Sequence, residues 1–304
     1  MKRVLLTGAS GFIGRHCVAP LLERGYEVHI VANRENVPWD PSVRQHRADL
    51  LEREEATALL QLVKPSHLLH LAWYAVPSAY WTAPENLHWL GASLRLLTEF
   101  VRVGGERWVG GGTCAEYDWA YGFCSEAVTP CAPTSLYGVA KHSLYLTSAS
   151  YARQCGLSLG WGRIFFPYGP HERPERLVSG TIRALLAGRP AQCSEGSQRR
   201  DFMHVEDVAG ALVALLDSAV DGPVNIGSGE PVSVRQLVTR LSEIIERPEL
   251  LVFGARPAPS DEPPVLFADV RRLRDAVGWQ PRYSLDEGLR DTARWWHAVQ
   301  TAMT

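Results

Sequence analysis

Apolar residues in the first half of the chain gather in short unbroken runs, and between the runs they recur with a helical period. Val4, Leu5 and Leu6 form the first run. Cys17, Val18, Leu21 and Leu22 follow at the spacing of one helix face. An unbroken run suits a strand covered on both sides, as in parallel sheets under helices. The alternation continues with a second strand at 27–32, a short third strand at 46–50 ending at Asp49, a helix at about 53–63 and a fourth strand at 67–72. A helix at about 85–103 leads to a fifth strand at 107–113, which thins into Gly110, Gly111 and Gly112. A further helix opens near Tyr137, and 157–165 is the next strand. Strands alternating with helices predict a doubly wound parallel α/β sheet.

Beyond Pro167-Tyr168-Gly169-Pro170 the alternation weakens. One more short strand is predicted at 224–226, with a helix at 205–216 packed on the sheet. The expected organisation is therefore a first domain at 1–166, with 203–227 returning to it, and a smaller second domain at 167–202 and 228–304.

The turn after the first strand carries Gly8, Gly11 and Gly14. Strand, glycine-rich turn and helix are the context of a dinucleotide-binding fingerprint. The first glycine permits a tight turn, the second a close approach of backbone to pyrophosphate, and the third a close approach of helix to strand. Free N–H groups at the helix start then face an anion, with Ser10, Phe12 and Ile13 in the same turn. The spacing is one residue wider than the usual form. These features predict a Rossmann-type doubly wound parallel sheet with a smaller C-terminal substrate domain. At the end of the second strand, where an acid would hold the adenosine ribose of NAD, the chain has Ala32-Asn33-Arg34. An arginine there suits a 2′-phosphate, so NADP is the expected cofactor, with NAD possible.

Composition narrows the class. A net charge of -2 over 304 residues makes no case for nucleic acid or an anionic membrane. The six cysteines form no Cys-x-x-Cys pair, so neither a disulfide framework nor a metal site is predicted. No secretory signal or membrane span is read, and a cytoplasmic location with reduced thiols is expected.

Tyr137 and Lys141 lie four apart and share a helix face. A free phenol has a pKa of about 10, too high for ready proton exchange at neutral pH. A nearby ammonium favours the phenolate, so the pair can exchange a proton with an alcohol oxygen while hydride moves at the adjacent carbon. Thr113, at the end of the fifth strand, offers a hydroxyl for the same oxygen. A lone Tyr-x-x-x-Lys is common by chance; behind a nucleotide fingerprint it carries weight.

With these residues in place the chain resembles the extended short-chain dehydrogenases/reductases, and more narrowly their nucleotide-sugar epimerase/dehydratase/reductase group. The carrying motifs are Thr-Gly-Ala-Ser-Gly-Phe-Ile-Gly at 7–14, Asp49-Leu50, His70-Leu71-Ala72, Thr113, Tyr137 with Lys141, Tyr168-Gly169-Pro170, and the run from Arg200 to Ala209. Asn225-Ile226-Gly227-Ser228-Gly229 and Ala268-Asp269-Val270 follow. The resemblance implies that Asp49 and Leu50 meet the adenine and that Leu71, Ala72 and Trp73 lie beside the nicotinamide half. It implies catalytic roles for Thr113, Tyr137 and Lys141, with the last two also touching the cofactor. Arg200 and Arg256 match positions that grip a substrate diphosphate, a task suited to a guanidinium fork. Tyr74, His88, Cys114, Phe166 and His171 fall on the substrate side.

The departures bear on the reaction. Sugar-nucleotide 4,6-dehydratases of this group carry Thr-Asp-Glu where this chain has Thr113-Cys114-Ala115. Cysteine and alanine do not supply that acid pair, so dehydration is not expected. Reductases of the GDP-fucose synthase type also epimerise through a cysteine, whose position is Ala115 here, and a histidine matched by His171. His88 and Phe166 stand where asparagines are usual. The expectation is an NADPH-dependent reductase of a nucleotide-linked keto-deoxysugar, at C4. The alternatives are an NAD-dependent nucleotide-sugar 4-epimerase and a non-catalytic dinucleotide-binding sensor. Helices 85–103 and 134–154 are the expected faces of a homodimer.

Overall fold

The computed structural model describes residues 2–32, 38–257 and 263–302. In chain order the first elements are β1 (Arg3–Thr7), α1 (Gly14–Glu23), β2 (Glu27–Val31), β3 (Arg44–His46), α2 (Arg53–Val63), β4 (His67–His70), α3 (Glu85–Arg102) and β5 (Arg107–Thr113). Next come β6 (Phe123–Cys124), α4 (Leu136–Cys155), β7 (Ser158–Ile164), β8 (Phe166–Tyr168), α5 (Leu177–Leu186), β9 (Ala191–Gln192), β10 (Arg199–His204), α6 (Val205–Asp217) and β11 (Gly222–Ile226). The remainder is β12 (Pro231–Ser233), α7 (Val234–Ile245), β13 (Leu251–Val252), β14 (Val265–Ala268), α8 (Arg271–Asp275) and α9 (Leu285–Thr301).

Seven parallel strands form the main sheet in the order β11-β7-β5-β4-β1-β2-β3. Side chains alternate across it: Val4 and Leu6 join the core under α1 and α6, and Leu5 joins the core under α2, α3 and α4. Both faces are covered, which is why the strands read as unbroken apolar runs. The third strand differs from its expectation. It is Arg44–His46, an edge strand whose Arg44 and Gln45 are exposed, and Asp49-Leu50 lie in the turn beyond it.

The strand order reverses between β1 and β4, and the carboxyl ends at such a reversal are where a doubly wound sheet places its ligand crevice. A buried network joins the two strands there. The Thr7 hydroxyl oxygen accepts from the amides of Leu71 and Ala72, both at 3.2 Å, and meets His70 Nδ1 at 2.8 Å. His70 Nε2 reaches Ser93 Oγ at 2.8 Å. Burial drives the His70 pKa down to about 3, so the ring is neutral and one nitrogen accepts the Thr7 proton while the other donates to Ser93.

A smaller mixed sheet, β12-β10-β14-β6 with β8 against β10, lies alongside. Its own core is Tyr168 of β8 with Val178, Ile182, Leu237, Leu241, Leu289 and Trp296, drawn from α5, α7 and α9. Buried carboxylates shape its turns. Asp201 accepts from Ser228 N, Gly229 N and Ala268 N, and Asp207 accepts from Arg282 N and Tyr283 N ahead of α9. Backbone amides satisfied by a buried acid lock a loop more firmly than packing alone.

The glycines of β5 have a packing cause. A Cβ at Gly110 would run into the Trp161 ring, and one at Gly112 would run into Trp161 and Glu116. Trp161 is fully buried. Gly110→Ala is therefore expected to cost about 2–4 kcal/mol by overpacking. Chemical denaturation measures this; a change below about 0.5 kcal/mol would show that the ring can move aside.

Candidate active site

Gly8 has a φ of +72°, a left-handed conformation that favours glycine. A Cβ at Gly14 would strike the Gly8 carbonyl, so α1 lies as close to the turn as backbone allows. No side chain caps the start of α1, and Gly11 is exposed beside it. Arg15 donates to the Ser10 carbonyl at 3.2 Å. Phe12 and Ile13 are half-buried in the same turn. Uncapped amides, a helix N-terminus and an exposed glycine fit a dinucleotide pyrophosphate. Asn33 and Arg34 lie outside the described residues. Asp49 turns its carboxylate to the Leu51 amide at 2.9 Å, and Leu50 is buried.

Tyr137 and Lys141 stand in the first turns of α4, whose Ser135 cap accepts from Gly138 N at 3.1 Å. The residue 73–84 loop wraps this helix start. Tyr137 N donates to the Trp81 carbonyl at 3.1 Å, and the Tyr137 ring meets Tyr80 and Trp81 edge-on at 4.9 and 5.8 Å. Lys141 Nζ donates to the Gly111 carbonyl at 2.7 Å and sits 3.9 Å above the Trp73 ring. Trp73 is held in turn by Asn86, at 2.8 Å. Thr113, at the end of β5, stands beside Tyr137 and draws the phenol pKa down. The Thr113 oxygen also accepts from Ala115 N at 3.1 Å, which leaves its proton free to donate.

The electrostatics differ from the expectation. Burial pushes the Tyr137 phenol up, Tyr80 pushes it the same way, and the Thr113 hydrogen bond pulls it down. Burial lowers Lys141 to about 7, against the opposing charge of Glu116. An ammonium held this weakly does not acidify the phenol in the way the Tyr-x-x-x-Lys spacing suggests; desolvation of both groups wins.

The other expected residues are spread more widely. Ala72 is buried and Leu71 and Tyr74 are half-buried at the mouth of the crevice. His88 is exposed, and α3 turns Asn86 inward instead. The Cys114 thiol is buried among Tyr117, Cys124 and Phe165, and burial pushes its pKa up. Phe166 is half-buried with the Arg200 guanidinium 5.7 Å from its ring centre. Arg200 is buried and donates to the carbonyls of Arg199 and Pro263, at 2.9 and 2.8 Å. Arg256 is exposed. His171 was expected against the substrate; its ring packs 4.5 Å from Trp295 and 6.0 Å from His16 on α1, at a left-handed φ of +67°. Burial takes its pKa down to about 4, with Arg15 and His16 adding to the effect.

Sequence reasoning missed Glu116, which lies fully buried three residues after Thr113. The signal was present: Thr-x-x-Glu is a capping box, and both halves of it form around the short 3₁₀ turn Cys114–Glu116. It also missed Tyr80, which is buried beneath the Arg176 guanidinium, 5.4 Å from its ring centre. A groove of about 820 Å³ between α5, α7 and α9 includes none of the expected site residues. Among the described residues no group of three or more His, Cys, Asp or Glu is placed to hold a metal, and no helix is long and apolar enough to cross a membrane.

Glu172, next to His171, is buried and accepts from Ser179 N at 3.1 Å and from the Ser179 hydroxyl. Burial raises its pKa to about 7. Its neutral form is favoured by the fold, so its contribution is intact below the ordinary carboxyl range and is lost as pH rises through about 7. Glu172→Gln should therefore stabilise the chain at pH 8 by about 2 kcal/mol and have little effect at pH 5. Melting curves at the two pH values test this; equal effects at both would refute it.

A seven-stranded, doubly wound parallel sheet, a glycine turn with an uncapped helix start, and a Thr–Tyr–Lys group at the crevice define a dinucleotide-dependent α/β protein of the extended short-chain dehydrogenase/reductase group. The sequence model of the NAD-dependent epimerase/dehydratase family matches residues 4–227, and the chain belongs to that family. It is 28% identical to UDP-glucuronic acid decarboxylase 1 of Xenopus tropicalis, over 96% of this chain and 71% of that one. MoeE5, solved with UDP-glucuronic acid and NAD, is 35% identical over 98% of this chain and 99% of its own, with a TM-score of 0.86. UDP-glucose 4-epimerase of Thermotoga maritima, solved with UDP-glucose, is 26% identical over 98% of this chain and 99% of its own, with a TM-score of 0.87.

Proposed function

We propose that this chain is a nucleotide-sugar 4-epimerase that retains NAD and acts on a nucleotide-linked hexuronic acid. The observation that carries the reading is the make-up of the strand end. It offers one proton-transferring phenol, a donor hydroxyl and a lysine, followed by a buried thiol and an alanine where a dehydratase has its acids. Such a site can remove a proton from an alcohol and return it, and has no second acid for elimination. In this reading the positive charge of a bound nicotinamide would bring down the phenol that burial pushes up, so that Tyr137 takes the proton of the C4 hydroxyl and gives it back once the sugar ring has presented its other face. Thr113 holds the C4 oxygen throughout. Lys141 holds the nicotinamide ribose. A nicotinamide held there would supply a reversible acceptor for the C4 hydride, so that no NAD would be consumed. Gly8, Gly11 and the start of α1 hold its pyrophosphate, and Ala72 and Trp73 flank the nicotinamide half.

The hexuronic acid is supported by MoeE5, which binds UDP-glucuronic acid, and by the decarboxylases. Within this chain, Arg176 lies against Tyr80 at the edge of the Tyr137 wall and offers a guanidinium to a carboxylate. We assign the nucleotide sugar to the smaller part of the chain, 167–202 with 228–304, and the dinucleotide to 1–166 with 203–227. We also propose a homodimer through α3 and α4, where Leu87, Val139 and Leu146 are exposed. Light scattering of Leu146→Glu should then report a monomer.

The second reading, an NADPH-dependent reductase of a keto-deoxysugar, rests on Arg34. One experiment separates the two. The purified chain is denatured, the released nucleotide identified, and fresh protein incubated with UDP-glucuronic acid without added cofactor. The expected result is NAD, with the C4 epimer accumulating and no net NADH. Stoichiometric NADPH oxidation with a 4-keto nucleotide sugar would favour the reductase, and loss of CO₂ a decarboxylase. Tyr137→Phe should slow turnover about 10²–10⁴-fold with nucleotide retained; a protein whose biological effect survives that change is a sensor.

A further inference from the structure

We propose that Glu116 is a positioning residue: its buried carboxylate, paired with Arg163, closes the capping box that fixes the Thr113 hydroxyl beside Tyr137 and sets a negative charge near Lys141. The inference rests on the roles proposed above for Tyr137 and Lys141.

The geometry is closed on every side. Glu116 Oε1 accepts from Thr113 N at 2.9 Å and from Trp161 Nε1 at 2.9 Å. Oε2 accepts from Arg163 Nε at 3.1 Å, and His142 Nδ1 stands 3.6 Å away. Arg163 is itself buried, 4.5 Å from the ring centre of Tyr117 and 5.5 Å from that of Tyr145. Burial opposes ionisation of Glu116, yet the donors together hold its pKa below the usual carboxyl range. The fold therefore favours the carboxylate form of Glu116.

Two consequences reach the chemistry. The bond to Thr113 N closes the capping box, in which Ala115 N occupies the Thr113 oxygen as acceptor. That leaves the hydroxyl proton free to donate outside the turn, on the side where Thr113 lowers the Tyr137 phenol. The second is the field. Glu116 is the charge that opposes the burial of Lys141. The other titratable neighbours do little for that ammonium: His70, across β4, is neutral, and Tyr137, which faces Tyr80, Cys114 and Glu116 itself, has its phenol pushed up by burial. On the far side Arg163 also faces Cys131 and Tyr117.

A merely structural account is less economical. A buried ion pair adds little to stability over apolar residues of the same volume. This one also demands a glycine at 112, because a Cβ there would strike Glu116 and Trp161.

The test reads Lys141 directly, by NMR titration of ¹³C-labelled lysine, with Lys141→Met supplying the assignment. In Glu116→Gln the Lys141 midpoint is expected to fall by about one unit. Turnover should fall about 10–100-fold with KM little changed, and its basic limb should move down by the same interval. Glu116→Met with Arg163→Met, which removes both charges but also the acceptor of Thr113 N and Trp161 Nε1, should lower the melting temperature and reproduce both shifts. A Lys141 midpoint unmoved in either folded variant overturns the proposal. The titration needs no substrate, so a wrong assignment of the reaction would leave this result standing.

Discussion

Everything in the crevice depends on how closely α1 approaches the strand before it. Only hydrogen can stand at Gly14 opposite the Gly8 carbonyl, and only a residue at ease with positive φ can stand at Gly8. With both satisfied, the amides of the first helical turn come level with the ends of β1 and β4, where Thr7 and His70 already bind the strands together. The crevice is thus a product of backbone contact. Its chemistry is added from β5 and α4, on the frame that this contact sets.

The added chemistry is arranged around buried acids. Asp201, Asp207, Glu172 and Glu116 each accept from main-chain amides, so each fixes a loop. The four loops are those that shape the smaller sheet, lead into α9, follow the Tyr-Gly-Pro turn and close the strand under Thr113. The small net charge of the chain hides this arrangement entirely. It is local pairing within low dielectric that matters here.

The main sheet was legible because its strands are covered on both faces and so are unbroken apolar runs. Where that cause is missing, reading failed. β3 is an exposed edge of Arg44, Gln45 and His46, and its place was given to the apolar-ended segment after it. β6, β9 and β13 are two residues each, formed by tertiary pairing with no local signature. Thr113, Tyr137 and Lys141 were legible from spacing and topology together. Their protonation was not, because it depends on how much water each group loses, and that is a property of the packed loop carrying Trp73, Tyr80 and Trp81. Glu116 was legible in principle as the last residue of a capping box.

The two sheets exchange strands along the chain. β6, from the first half, adds to the edge of β14, and β11, from the second half, completes the rim of the main sheet beside β7. A cut anywhere between them strands hydrogen-bonding edges on both fragments. Neither fragment is then an autonomous folding unit, so separate expression, domain shuffling or swapping of the C-terminal portion between relatives carries an aggregation hazard. Diversity in this molecule is most safely introduced through its surface loops.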